Sequence, residues 1–315
     1  MRNPIIILRS IVVEGESKIK TWLSAARPRT VLLSLSGVMM GGFLAAKQSL
    51  FYPVPIVLAA LTAVLLQILS NLANDYGDFK KGLDDADRTG PQRVMQSGAL
   101  GEKQMRLGIA ITVLLCLGSG LMLLLSVAIA QGGMSKLPIL AILGVAAIAA
   151  ALFYTLGKRP YGYLGLGDPF CFLFFGWVAV AGTYYLSVPE FDASVLLPAT
   201  AIGCLSVAVL NINNMRDYEN DKANGKNTLV VKMGLKRAFI YHVFLIVLPF
   251  VCLSVYLWLH HDPWYAHLFW LLFPLFLMDL IAMRGMFESG HLDSLLPKQV
   301  VKTFLLTMVF GLLIV

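Results

Sequence analysis

Residues 54–78 read VPIVLAALTAVLLQILSNLANDYGD. The first twenty of these carry no charge, and about twenty such residues are what a helix needs to cross the hydrocarbon of a bilayer. The last turns then set Asn71, Asn74, Asp75 and Asp78 at i, i+3, i+4 and i+7. That spacing is one face of a helix. Carboxylates beside hydrocarbon are costly and usually mark a polar cavity or an ion site. The stretch therefore predicts a membrane-spanning helix that ends in a site.

The rest of the chain agrees. Of its 315 residues 58% are hydrophobic and 14% charged, against about 25% charged in soluble domains. Length is then a count of crossings. Nine are expected, at about 30–47, 54–73, 107–130, 137–155, 169–187, 195–212, 238–259, 264–283 and 300–315. The fold class is all-α, a polytopic membrane bundle in a single domain over 1–315. Residues 1–29 form an N-terminal interfacial segment, and 74–106 and 213–237 form Asp-rich caps. Residues 5–13 are a nine-residue apolar run flanked by Arg2 and Arg9 without a small-residue cleavage site, so a cleaved signal peptide is not expected. SKIKTWLSAARP at 17–28 reads as an interfacial helix.

Basic residues set the orientation. All but Lys47 and Lys136 of the 25 lysines and arginines fall on one side. The N-terminus, both Asp-rich caps and the 154–168 loop therefore face the cytoplasm. The net charge of +7 is a topology signal and not a sign of nucleic-acid binding. Cys116, Cys171, Cys204 and Cys252 sit inside spans without metal-ligand spacing and read as packing residues. The five histidines lie away from the Asp stripes.

A second apolar run closes in NINNMRDYENDKANGKNTLVVKMG, 211–234. Asn213, Asp217 and Asp221 form its stripe. Two carboxylates at i, i+4 repel unless a cation lies between them, and Arg216, Lys222 and Lys226 offset them in part. A shift of 139 residues lays Asn74, Asp75 and Asp78 on Asn213, Asn214 and Asp217, a weak parallel repeat. Mg2+ takes a few carboxylates with water and phosphate oxygens, which suits Asn74, Asp75, Asp78, Asp217 and Asp221 as ligands. Asn71, Arg88, Arg216 and Lys222 are candidates for holding a polyanion. After Gly82 come Asp84, Asp85 and Asp87. Apolar anchors in both caps (Val94, Met95, Leu229, Val230, Val231) predict that the caps are ordered.

Between the blocks lies YTLGKRPYGYLGLGD, 154–168. Tyr154 and Lys158 stand at i, i+4. Lys158 and Arg159 suit diphosphate oxygens as a point charge and a fork, or simply snorkel at the interface. Arg27 and Arg29 bind either an aromatic carboxylate or headgroups. Asp168 is a helix-start acid or a site acid. A cation-coupled transporter is the reading from another class, but it needs acids near the midplane, and here they cluster at helix ends.

At these residues the chain resembles the UbiA superfamily of intramembrane aromatic prenyltransferases. The carriers are Asn74-Asp75-x-x-Asp78, Asp217-x-x-x-Asp221 and the Tyr154-x-x-x-Lys158 element. The third Asp of the generic first motif falls on Gly82, with Asp84 two residues later. That departure, the ARPRT run at 26–30, the GKNTLVV run at 225–231 and FLFFGWVAVAGTYYLS at 172–187 are similar to the branch that prenylates 1,4-dihydroxy-2-naphthoate. The resemblance implies Mg2+ and an allylic polyprenyl diphosphate between the two Asp blocks. It implies Lys158 and Tyr154 at the leaving diphosphate, the tail between apolar helices, and ring attack with loss of CO2. Asp78 or Asp84 is then the candidate to take the phenolic proton. It also implies the bacterial cytoplasmic membrane and a step towards menaquinone. Acceptors such as 4-hydroxybenzoate, a chlorin or a glyceryl lipid are the alternatives within the superfamily.

Overall fold

The computed structural model describes residues 18–83, 92–286 and 292–315. Among these every regular element is helical. A helix over 18–26 leads through Arg27, at a left-handed φ of 51°, into α1 (Pro28–Lys47), with proline at its start. Then follow α2 (Pro53–Lys80), α3 (Glu102–Gln131) and α4 (Leu137–Phe153). The fifth, α5, runs over 167–185 with a π-helical middle, Phe172–Ala181. The remaining long helices are α6 (Leu196–Arg216), α7 (Leu235–Leu259), α8 (Phe273–Met286, after a 3-10 stretch Trp264–Leu272) and α9 (Leu295–Ile314).

Seven of these helical stretches are long and apolar enough to cross a membrane. The expected nine are reached when α4, at 17 residues, and the broken α5 are counted with them. The expected bounds shift mainly where polar residues stay helical. The second span was expected to close at 73, but α2 continues to Lys80 and carries the whole Asn/Asp stripe on regular helix. The sixth likewise runs to Arg216.

In a bilayer, packing rather than water exclusion holds helices together, and small residues allow close approach. The centre of the bundle is α6, whose Ile202 and Leu205 are fully buried among α1, α5, α7 and α9. Gly176 and Gly203 make this possible: a Cβ on Gly176 would lie 2.7 Å from the Gly203 Cα. Leucines on α3 instead face outward, with Leu114 67% and Leu121 58% exposed, as suits a lipid-facing surface. At the end away from the acids, Lys47 pairs with Asp262 and Lys136 donates to the Tyr185 carbonyl at 3.0 Å.

In the described parts of the two caps, apolar residues pack against the bundle. Val94 and Met95 are buried against α2 and α3, and Val230 is buried beneath the second cap. That cap contains short helices Tyr218–Ala223 and Leu229–Met233, the latter begun by Thr228 accepting from the Val231 N–H.

Candidate active site

The two Asp blocks come together across the 154–166 loop. Thr155 starts the contact: its hydroxyl donates to the Ala73 carbonyl at 2.8 Å. Gly77 gives room for this, since a Cβ there would stand 2.7 Å from Thr155. Further along, the Asn227 N–H donates to the Tyr163 carbonyl at 3.1 Å, and Lys232 donates to the Leu164 carbonyl at 2.6 Å. The loop is thus wedged between α2 and the second cap. Asn220 closes the ring by donating to the Leu83 carbonyl at 3.0 Å.

Asp78 is the hub. Its side chain is buried, and it accepts from Arg93 Nη1 at 2.6 Å and from the Tyr163 hydroxyl at 2.5 Å. Lys226 Nζ is 3.7 Å from it and 3.6 Å from Asp221. Both Asp78 oxygens are engaged, which leaves it poorly placed as a proton acceptor. Burial, and then the neighbouring Asp78 carboxylate, push the Tyr163 phenol well above its ordinary range, so it remains a donor. Burial pushes the Asp221 carboxyl up to about 6 against the pull of Lys226, with Asp217 and Asp78 adding to the rise. Asp217 is gripped by its neighbour Arg216, whose Nε and Nη2 donate to its two oxygens at 2.8 Å each. Arg216 also reaches Asn213 at 2.7 Å and Asp293 at 2.6 Å.

A cavity of about 890 Å³ begins at these groups and runs between α1, α2, α3, α4 and α5. Asn74, Asp75, Arg93, Asn213, Arg216 and Lys226 line one end. The remainder is mostly hydrocarbon, including Leu117, Leu121, Ile148, Phe174 and Val178. Exposed Leu121 and Val145 on its wall mark an opening towards the lipid. Such a space suits an amphiphile with an anionic head.

Other expected site residues take different places. Asn71 lines the cavity, yet its amide donates to the Ala26 carbonyl at 2.8 Å and to Thr30 at 3.0 Å, so it fastens the start of α1 to α2. Arg27 and Arg29 line the mouth. Tyr154 lines the wall, edge-on to Tyr161 with ring centres 5.4 Å apart. Lys158 does not join it. α4 ends at Phe153, and Gly157 at φ 92° breaks the helical register, so the i, i+4 relation is lost and Lys158 is exposed. Lys222 is also exposed, over the Tyr218 ring at 5.7 Å; the cap's inward lysine is Lys226. Asp168 is buried beside Tyr241 and does not line the cavity. Asp84 and Arg88 lie outside the described residues.

Sequence reasoning passed over Arg93 and Tyr163. Arg93 was one base among several in a long loop, with no spacing to single it out. Tyr163 follows a tyrosine and a glycine, and only the fold places its hydroxyl on Asp78. Lys226 was noted as a partial offset; the preceding Gly225 was the signal that its chain turns back.

The combination of a lipid-embedded helical bundle, paired Asp-bearing ends and one greasy cavity defines an intramembrane enzyme of amphiphilic substrates. A model of the UbiA prenyltransferase family matches residues 34–284, and the chain belongs to that family. It is 45% identical over 290 residues to the 1,4-dihydroxy-2-naphthoate octaprenyltransferase of Escherichia coli K12, covering 89% of this chain and 93% of that protein. The Haemophilus influenzae protein of the same name is 40% identical over 298 residues, covering 94% and 96%. Among solved structures, a UbiA homologue from Archaeoglobus fulgidus bound to GPP and Mg2+ aligns with a TM-score of 0.62 at 16% identity, over 93% of this chain and 99% of that one. At that identity the likeness concerns the fold.

Proposed function

We propose that the protein transfers a polyprenyl group from its diphosphate to 1,4-dihydroxy-2-naphthoate, with loss of CO2, in a Mg2+-dependent reaction giving demethylmenaquinone. The observation that carries this reading is one cavity whose polar end is lined by Asn74 and Asp75 of the first block and by Asn213, Arg216 and Lys226 of the second, with mostly hydrocarbon along its length. The Escherichia coli and Haemophilus influenzae relatives, both named for the naphthoate activity, align over 89% and 94% of the chain. The distribution of basic residues supports a place in the bacterial inner membrane with the acids towards the cytoplasm.

The donor set fits Mg2+. Asn74 Oδ1 and Asp221 Oδ2 are buried oxygens that accept no hydrogen bond, and Asp75 lines the cavity beside Asn74. No group of three or more His, Cys, Asp or Glu with metal-binding geometry occurs among the described residues. Mg2+ usually takes one or two carboxylates together with substrate phosphate oxygens and water. Asn74, Asp75 and Asp221 would hold it, with Asp78 and Asp217 beside them. When bound, Mg2+ supplies positive charge to a departing diphosphate.

The chain's own residues do the rest. Arg93, Arg216 and Lys226 ring the polar end and offer donors to diphosphate oxygens. The apolar walls receive the isoprenoid and keep water from the allylic cation. Tyr154 and Tyr161 present ring surfaces near the carbon that changes partners, where cation–π attraction favours positive charge. Arg27 and Arg29 at the mouth suit the acceptor carboxylate before it leaves as CO2.

A competition assay tests the reading. Membranes containing the protein, geranyl or octaprenyl diphosphate and Mg2+ are given dihydroxynaphthoate and 4-hydroxybenzoate together. Prenylated naphthoquinone with release of the carboxyl carbon is expected, abolished by EDTA and restored by Mg2+. Prenylation of hydroxybenzoate alone would overturn the choice of acceptor.

A further inference from the structure

Lys226 differs from the other two cations at the polar end. Arg93 and Arg216 touch their carboxylates at 2.6 to 2.8 Å. Lys226 stands 3.7 Å from Asp78 and 3.6 Å from Asp221, beyond hydrogen-bonding reach. It is nevertheless buried, 6% exposed, and lines the cavity. The local chain puts it there. Gly225, at φ 70°, reverses the chain after the cap helix, and the Lys226 N–H donates to the Asp221 carbonyl at 2.8 Å. The Tyr163 ring lies 5.3 Å from its ammonium.

We propose that Lys226 is the resident counter-ion of this site: its ammonium bridges Asp78 and Asp221, competes with a divalent cation for both, and leaves them when a diphosphate enters the cavity. The inference rests on the diphosphate reading above. Two buried carboxylates so placed repel each other unless a positive charge lies between them. Arg93 and Tyr163 already hold Asp78; Lys226 adds a point charge on a flexible stem between it and Asp221. A divalent cation arriving alone meets that ammonium and is repelled. A diphosphate offers the ammonium new oxygens; the ammonium's departure opens Asp221 to the cation, while Arg93 and Tyr163 keep their bonds to Asp78. Binding of cation and diphosphate is therefore coupled, and by linkage each strengthens the other by the same factor.

The test is Mn2+ binding to the purified full-length protein, read by electron paramagnetic resonance, with and without inorganic pyrophosphate. Wild type is expected to bind Mn2+ about tenfold more tightly with pyrophosphate. Lys226→Met is expected to bind Mn2+ alone about tenfold more tightly than wild type and to lose most of the coupling, while Lys226→Arg keeps weak binding of Mn2+ alone. Unchanged or weakened Mn2+ binding in Lys226→Met overturns the proposal. Thermal unfolding covers an unstable variant: Mn2+ should raise the midpoint of Lys226→Met more than that of wild type, and an equal rise overturns it. Naphthoate turnover with uncoupled Mn2+ and pyrophosphate in wild type sinks the counter-ion role alone. Intact coupling without naphthoate turnover sinks the acceptor reading alone.

Discussion

Asp78 and Asp217 stand in equivalent places, each at the polar end of a long apolar helix, but their charges are balanced in different ways. Asp217 is held by the residue before it, Arg216, through two bonds of 2.8 Å. Asp78 is held by Arg93 from the following loop, Tyr163 from the loop after α4, and Lys226 from the second cap. Asp217 is thus paired within its own turn, by an arginine that also holds Asp293. Asp78 is paired only once three distant segments have folded over it. Asp78 therefore doubles as a tie between the two caps and the loop after α4.

The largest test removes one acid from each block. Asp75→Ala and Asp217→Ala are each expected to lower prenyl transfer by about 10³-fold or more, while the protein still inserts in membranes. Retained activity in either variant would count against a site shared by both blocks. A finer test separates the two modes of balance. Breaking a buried ion pair costs about 3 kcal/mol, so Arg93→Met and Arg216→Met should both lower the unfolding midpoint in detergent. Only Arg93→Met should also speed proteolysis of the 92–98 loop; equal cleavage in both would erase the distinction drawn here. The smallest effect is expected at Lys158. It is exposed, and surface changes usually lie within 0.5 kcal/mol, so Lys158→Ala should keep kcat/KM within about threefold. A hundredfold loss would return it to the site.

The same contrast explains what the sequence made legible. Asn74, Asp75 and Asp78 could be placed on one helix face because helical spacing is a local property. The anchors Val94, Met95 and Val230 were readable for a similar reason: apolar residues in a polar loop need something to lie against. Lys158 was misplaced because its i, i+4 relation to Tyr154 assumes a helix through 158, whereas α4 ends at Phe153. Lys222 and Lys226 look alike in sequence, and only the left-handed turn at Gly225 sends the second one inward. Arg93 and Tyr163 reach Asp78 across 15 and 85 positions, which no spacing rule encodes. The crossings were countable from hydropathy, but the widened middle of α5 was not, since FLFFGWVAVA is apolar on every side.

That widened middle has a consequence for the shape of the cavity. The α5 residues on its wall recur in pairs four apart: Phe170 and Cys171, Phe174 and Phe175, Val178 and Ala179, Gly182 and Thr183. On an α-helix a step of four overshoots a full turn by about 40°, so three such steps would carry the row about a third of the way around the rod. A π-helix has more residues per turn, and there a step of four falls short instead. The π-helical 172–181 segment opposes the drift that a continuous α-helix would build up. The row of pairs therefore stays on the cavity side along the whole of α5.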